Sequence, residues 1–484
     1  IPSFVNGFCN PLPKLGNDVI GECWPASVHS KVMNYRVSPL TQETELFTKT
    51  EMMGWLKDVQ EPMEFEEWVK RYPCKRREEL RGAYNEVVAV GVLDPGDARV
   101  KNFLKIEVSN KFTDPRNISP RSDKFLAVVG PYIAAIEHAS VNCPFLVKGL
   151  TPSQRDERMS KLMEYGSYIE IDFSRFDMTI SYDLLVCFEH HILKYPFDSV
   201  RDHLFFEALK MTLRTRGVSE FGTTYKVVGT RCSGDAHTSI SNGLLNRFVI
   251  WCCLRNLPED SWISFHEGDD GVIGVKTDYV EQAMYNLRYL QCLGLYAKLN
   301  VFHDIHLVSF CGRFFAESGC ELRSYCDPLR SLSKFHTSVS TGDEKALLLA
   351  KALSYYHTDG HTPVIGAVSF ALIKILLPLV TKKRLARTLA YSFKNLPWFM
   401  QLQGRRHLDE LIKKDYKLRV DENLRAGFCL RTNLSPNEQI MLENEYVSWI
   451  ENGLPSSTPK ILVEWKLVED DKYIPLCCDE YIPV

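Results

Sequence analysis

The stretch SFHEGDDGVIG, residues 264–274, places Glu267, Asp269 and Asp270 at one turn between two runs of strand-forming residues. Two carboxylates about 4 Å apart repel by roughly 4 kcal/mol at an effective dielectric near 20, so such a turn needs solvent or a cation. The segment WISFHEGDDGVIGV (262–275) therefore reads as a β-hairpin whose turn falls at the acidic pair. Alone, a Gly-Asp-Asp triplet constrains little, since average composition produces one in roughly one chain in ten of this length. The order of motifs around it constrains much more.

Upstream, GSYIEIDFSRFDMTI (166–180) alternates like a strand, with Asp172 at its end and Asp177 just beyond. YDLLVCFEHHILKYP (182–196) then has a helical pattern, and FGTTYKVVGTRCSGDAHTSISNGLLNRFVIWCCLRN (221–256) reads as strand, Gly-containing loop and helix. The spacing Ser233-Gly234-x3-Thr238-x3-Asn242 within it arises by chance in about one chain in two hundred. DYVEQAMYNLRYLQCLG (278–294) is expected to be one more helix. Strand, helix, strand, helix at the centre with helices behind predicts an α+β core.

Two-metal phosphoryl transfer needs carboxylates from separate elements converging on cations ~3.5 to 4 Å apart. Mg²⁺ takes one or two carboxylates and fills its shell with water and phosphate oxygens, so few protein ligands suffice. Asp172 and Asp269 form such a pair provided that their strands are neighbours, with Asp270 as an auxiliary ligand or nearby charge.

Length and charge set outer bounds. At 484 residues the chain is long enough for two or three domains or one composite fold, and the absence of repeats and linkers favours the latter. With 58 basic and 61 acidic residues, a polycationic nucleic-acid coat is excluded, whereas a local basic groove is not. The 15 cysteines, including Cys252/Cys253 and Cys477/Cys478, show no paired CxxC zinc spacing and are expected to be reduced thiols of an intracellular protein. A start at Ile1 followed by PSFVNGFCN has no signal-peptide pattern and suggests a piece of something longer.

Residues 1 to about 60 are expected to be irregular, and 61–92 helical with a basic run at Lys70, Arg71, Lys75, Arg76, Arg77 and Arg81. From about 341 the pattern is mainly helical, ending in the strand-like pieces ILVEWKLV and YIPLCC. PVIGAVSFALIKILLPLV (363–380) contains Lys374 and Pro378, so a buried helix fits better than a spanning one. The cluster Lys382, Lys383, Arg384 and Arg387 after it is expected to be a solvated helix face, with exiting RNA or peripheral contact to anionic lipid as the alternatives. Adjacent His190 and His191 point about 100° apart on a helix and cannot easily share a metal.

From about residue 100 to 335 the sequence resembles the RNA-dependent RNA polymerases of positive-strand RNA viruses, and is most similar to tombusvirus-like and nodavirus-like enzymes. IDFSRFD, RCSGDAHTSISN and EGDDGV resemble their motifs A, B and C. The resemblance implies a right-hand α+β fold with fingers, palm and helical thumb: fingers over 1–165, palm over 166–182, an insertion over 183–225, palm again over 226–325, and thumb and tail over 326–484. It implies that Asp172, Asp269 and Asp270 bind two Mg²⁺ ions, with Mn²⁺ as a substitute. It implies that Ser233 and Gly234 form a template loop, and that Asp177, Thr238 and Asn242 sense the ribose 2′-hydroxyl. Polar groups at that place fit RNA synthesis, because a site built to hydrogen-bond a hydroxyl loses partners when it is absent.

KIEVSNKFTDPRNISPRSDKF (105–125) resembles motif F, implying that Lys105, Lys111, Arg116 and Arg121 contact nucleotide or template phosphates, Arg116 foremost. Lys298 in LGLYAKL sits as in motif D, where a lysine donates a proton to pyrophosphate. VSFCGRFF (308–315) resembles motif E, in which Arg313 would touch the nascent strand, unless Phe310 and Phe314 are simply core. Asp235 is expected to organise the motif B loop. The implied partners are template RNA, nascent RNA, NTPs and other viral replication proteins, not DNA. The implied location is the infected host cell, in cytoplasmic membrane-associated replication complexes. A reverse transcriptase-like polymerase and a non-catalytic RNA-binding scaffold are the alternatives.

Overall fold

The computed structural model describes residues 37–107, 115–335, 338, 342–391 and 410–454. Lys111, the pieces ILVEWKLV and YIPLCC, and Cys477/Cys478 lie outside the described residues. The chain is a mixed helix-and-sheet protein whose described residues divide into two compact units.

The first unit holds the described residues up to Phe103, together with 117–149 and 171–300. It starts with a helix where irregular chain was expected. Helix α1, Val37–Phe47, continues through a π-helical turn, Thr48–Met52, into Met53–Leu56. Thr44, Phe47, Thr48, Met52, Trp55 and Leu56 are buried along one stripe. Threonines break the apolar pattern, but Thr44 donates to the Leu40 carbonyl at 2.8 Å and Thr48 to that of Thr44 at 2.7 Å, so their burial leaves no hydroxyl unsatisfied.

The stretch expected to be helical over 61–92 is two helices, Phe65–Val69 and Cys74–Val90, separated around Pro73. Its basic run is largely answered by nearby carboxylates. Arg76 bonds Asp123 and Glu79, Arg81 bonds Glu66 and Glu78, Lys70 pairs with Glu67, and Arg71 stands 3.8 Å from Glu137.

Strands β1 (Val100–Leu104) and β2 (Asn117–Ile118) precede helix α2, Asp123–Ala139, whose first turn is capped by Ser122 accepting from the Phe125 amide. Then come β3 (Gly166–Phe173), a helical run from Tyr182 to Lys194, β4 (Arg214–Ser219) and β5 (Thr224–Val228). Helix α3, Thr238–Leu254, is followed by the hairpin of β6 (Trp262–Glu267) and β7 (Asp270–Lys276), and later by β8 (Ala297–Phe302). One sheet has the order β2-β1-β4-β5, with β1 parallel to β4; the other has the order β6-β7-β3-β8. In the hairpin Glu267 pairs with Asp270, leaving Gly268 and Asp269 as a two-residue turn with Gly268 at φ +63°.

Helix α3 is buried over nearly its whole length: β6 and the helix Val280–Leu287 pack along it, and α1 and the helical run from Tyr182 add aromatic side chains. The Phe47 ring lies 5.3 Å from Phe248, 5.4 Å from Trp251 and 5.8 Å from Phe188.

The second unit comprises the described residues of 104–116, 150–170 and 301–484. Its three-stranded antiparallel sheet runs β11-β10-β9, from β9 (Ser309–Phe310), β10 (Arg313–Ser318) and β11 (Glu321–Cys326). Helices α4 (Glu344–Asp359), α5 (Ile365–Leu376) and α6 (Pro436–Asn452) pack into one apolar core. The apolar stretch over 363–380 is thus the buried α5, and no helix among the described residues is long and apolar enough to cross a membrane.

Arg313 is paired within the protein. Its guanidinium bonds Asp359 at 2.9 Å and the Ser324 hydroxyl at 3.0 Å, while Phe310 and Phe314 are buried, so packing accounts for this hairpin. Replacing Phe47 by Ala should destabilise the protein by about 3–5 kcal/mol, read as a lowered denaturation midpoint. A surface-like change under about 0.5 kcal/mol would place α1 outside the core.

Candidate active site

Hydrogen bonding between β7 and β3 makes the two acidic elements neighbours. Asp172 is the penultimate residue of β3, Asp269 occupies the turn before β7 and Asp270 opens that strand. All three are exposed, which leaves their oxygens within reach of solvent and exchangeable ligands.

The turn is anchored from inside by α3. Asn246 donates its amide to the carbonyls of Asp269 at 2.9 Å and Asp270 at 3.2 Å. A Cβ on Gly271 would stand 3.1 Å from His266 Nδ1 and 3.2 Å from Asn246 Nδ2, so the close approach of α3 favours glycine after the acidic pair. Beneath it, Arg247 bonds Ser264 at 2.7 Å and Glu51 at 2.8 Å, and lies over the Trp262 and Phe145 rings. Burial, reinforced by Arg247, keeps His266 well below the usual histidine range and therefore neutral.

Among the described residues no three His, Cys, Asp or Glu side chains cluster closely enough to hold a metal unaided. The donor set at the strand ends is hard carboxylate oxygen, which fits a small divalent cation that draws the rest of its shell from water and phosphate. Glu267, half-buried at the end of β6, is left without an assigned role.

Beside the carboxylates lies a hydrogen-bonded trio. The chain leaves β3 through Arg175 at φ +54° and enters the short helix Phe176–Thr179, which carries Asp177. Two backbone bonds of 2.7 Å, from Arg231 to the Asp177 carbonyl and from Thr230 to that of Ile180, strap the loop after β5 against this segment. Ser233 Oγ donates to Asp177 Oδ2, and Asn242 Nδ2 donates to Asp177 Oδ1 at 2.7 Å. Thr238 does not join the trio: its hydroxyl donates to the Cys232 carbonyl at 3.0 Å and closes the loop onto the start of α3. Gly234, at φ +149°, passes so near residue 119 that a Cβ would stand 2.9 Å from the Ser119 carbonyl carbon.

Arg121, expected at a phosphate, is paired inside the protein. Its guanidinium lies 2.8 Å from Asp235, their side chains 2% and 3% exposed, and it also bonds Thr215 at 3.0 Å. A buried charge needs such a partner, so Arg121 and Asp235 together brace the loop from beneath. Lys105 and Arg116, in the second unit, are exposed and pair with Glu107 at 3.0 and 3.4 Å. Lys298 is exposed on β8.

Sequence reasoning missed Glu189, Arg231 and Asn246. Glu189 is 2% exposed in the helical run, and Arg231 forks onto it. Burial would raise this carboxyl, but Arg231 and His237 outweigh burial and hold it well below the usual carboxylate range. The available signal was an acid amid the apolar run LLVCFEHHIL, since a charge on a buried face requires a buried partner. His190 bonds Thr212 at 3.2 Å and His191 is half-buried.

Carboxylates on adjoining strands beside an Asp–Ser–Asn trio have the make-up of a metal-assisted phosphoryl-transfer site. The family described as viral RNA dependent RNA polymerase matches residues 41–452, and the chain belongs to that family. It is 29% identical over 311 residues to the RNA-directed RNA polymerase of Pariacoto virus, covering 61% of this chain and 31% of that protein. Identity is 28% over 283 residues to the enzyme of Atlantic halibut nervous necrosis virus, covering 55% of this chain and 28% of the relative. With that of melon necrotic spot virus it is 26% over 426 residues, covering 82% of this chain and 52% of the relative. The chain thus spans from under a third to about half the length of these relatives.

Burial lowers His190 from 6.5 to about 4 in the fold. The fold favours its neutral form, so the contribution of this group to stability is full above pH 6.5 and is lost as pH drops from 6.5 towards about 4. His190→Gln should flatten that part of the unfolding profile; an unchanged slope would assign the loss to other groups.

Proposed function

We propose that this chain is the polymerase core of a viral replicase, copying template RNA by adding NTPs to a 3′-hydroxyl with release of pyrophosphate. The observation that supports this reading is the pairing of β3 with β7, with Asp172 near the end of β3 and Asp269 in the turn that leads into β7, next to the Asp177 trio.

Asp172 and Asp269 would hold two divalent ions, Mg²⁺ or Mn²⁺, with Asp270 as auxiliary ligand. When bound, such a pair lowers the cost of charge on the attacking and leaving oxygens. Asp177, Ser233 and Asn242 offer acceptors and a donor to the ribose 2′-hydroxyl, and Gly234 lets the template loop run close to residue 119. Thr238 serves by holding that loop. Lys298, an exposed ammonium, donates a proton to the departing pyrophosphate. Lys105, Arg116 and, from the sequence, Lys111 meet phosphates of NTP or template, while Arg121 acts indirectly through the loop it braces. The template supplies base choice by pairing, and the protein supplies alignment and charge neutralisation.

In this proposal fingers occupy 1–165, palm 166–182 and 226–325, with 183–225 inserted, and thumb and tail 326–484. Association with other viral replication proteins and with membrane surfaces in the infected cell belongs to the same proposal, the basic helix from Lys382 being the element suited to an anionic surface. A reverse transcriptase fits less well, because Asp177 and Asn242 place polar groups where deoxyribose would leave them unanswered.

Purified protein, a short RNA template, labelled NTPs and Mg²⁺ or Mn²⁺ test the reading. Asp269→Ala and Asp172→Asn should each lower incorporation by at least about 10²-fold. RNA binding should persist and weaken with salt. Undiminished incorporation by Asp269→Ala, or a preference for dNTPs, would contradict it.

A further inference from the structure

The trio at Asp177 is completed from behind by residues with no assigned role. An asparagine side chain has two nearly isosteric ends, an acceptor oxygen and a two-donor nitrogen, and its neighbours decide which faces which way. Arg231 Nε lies 3.0 Å from Asn242 Oδ1. A guanidinium has only donors, so the oxygen end must face Arg231, and the amide nitrogen is left facing Asp177, 2.7 Å from Oδ1.

Arg231 is itself fixed. Nη1 bonds Glu189 Oε1 at 2.8 Å, Nη2 bonds Glu189 Oε2, and the two side chains are 1% and 2% exposed. His237 Nε2, 3.4 Å from Glu189 Oε1, adds a contact from the start of α3. The Arg231 amide also donates to the Asp177 carbonyl at 2.7 Å, so one residue sets both the main chain of Asp177 and the orientation of its partner.

We propose that Arg231, locked by Glu189, is a positioning residue that holds the Asn242 amide with its nitrogen towards Asp177, and thereby sets selection of ribose over deoxyribose. The count of donors and acceptors explains how. With one Asn242 hydrogen on Asp177, the second remains to be donated, and the Asp177 carboxylate retains unused lone pairs. A 2′-hydroxyl both accepts and donates and answers both. A 2′-deoxy sugar answers neither, and a flipped amide would turn an oxygen towards the carboxylate and lose the donor.

This role rests on the proposed reading of Asp177 and Asn242 as the ribose site, so the experiment must separate the two. With the full chain, kcat/KM for an NTP and its dNTP is measured on one RNA template for wild type, Asn242→Ala, Arg231→Lys, Glu189→Gln and Arg121→Lys. Lysine keeps a charge for Glu189, but a single ammonium lacks the planar fork that serves Glu189 and Asn242 together.

Asn242→Ala and Arg231→Lys should each lower the NTP/dNTP ratio on the order of 10-fold or more, chiefly through loss of kcat/KM for the NTP. Glu189→Gln should move the ratio the same way, and carries the test if Arg231→Lys does not fold. Arg121→Lys, altering the other buried brace of the loop, should leave it unchanged. If Asn242→Ala lowers the ratio while Arg231→Lys and Glu189→Gln do not, the positioning role is overturned and the ribose site stands. If Arg121→Lys lowers it equally, the effect is general loop stability and the role is likewise overturned. An unchanged ratio in Asn242→Ala removes the ribose site and the positioning role together.

Discussion

Backbone pairing of β7 with β3 is the constraint on which the rest of the site depends. Asp172 and Asp269 are nearly a hundred residues apart, and each alone is an unremarkable exposed acid. Adjoining strands lie about 4.8 Å apart, the scale on which two carboxylates can share cations. Helix α3 makes that pairing useful. Through Asn246 it grips the turn carbonyls, and through Asn242 it reaches Asp177, so a single buried rod sets the acidic turn and the Asp177 trio together.

Two buried ion pairs, Arg231–Glu189 and Arg121–Asp235, brace the loop. Desolvating such pairs is costly, and apolar replacements of equal volume often do as well for stability. Their value here is geometric: each fork fixes an orientation that an apolar contact would leave free. One aims the Asn242 amide and the other braces the loop that carries Ser233 and Gly234.

Local patterns made the central elements legible. Alternation and a Gly-Asp turn marked the hairpin, and the long apolar helix after RCSG marked α3. Illegible features depended on where a polar side chain finds its partner, near or far along the chain. Buried Thr44 and Thr48 masked α1, because their hydroxyls are satisfied by its own carbonyls. Arg121 looked like one more cation in a basic ribbon, since nothing local reveals Asp235 beneath it. Arg313 was ambiguous for the same reason until Asp359 appeared beside it. Thr238 lay at the right spacing, yet its rotamer sends the hydroxyl to Cys232 instead of Asp177.

The central claim, that neighbouring strands bring Asp172 and Asp269 to one metal site, is tested most directly by anomalous scattering from crystals of the chain with Mn²⁺, a short RNA template and an NTP. Two Mn²⁺ peaks about 3.5–4 Å apart, ligated by Asp172 and Asp269, are the predicted result. Ordered NTP with Mn²⁺ bound away from these two carboxylates would contradict it.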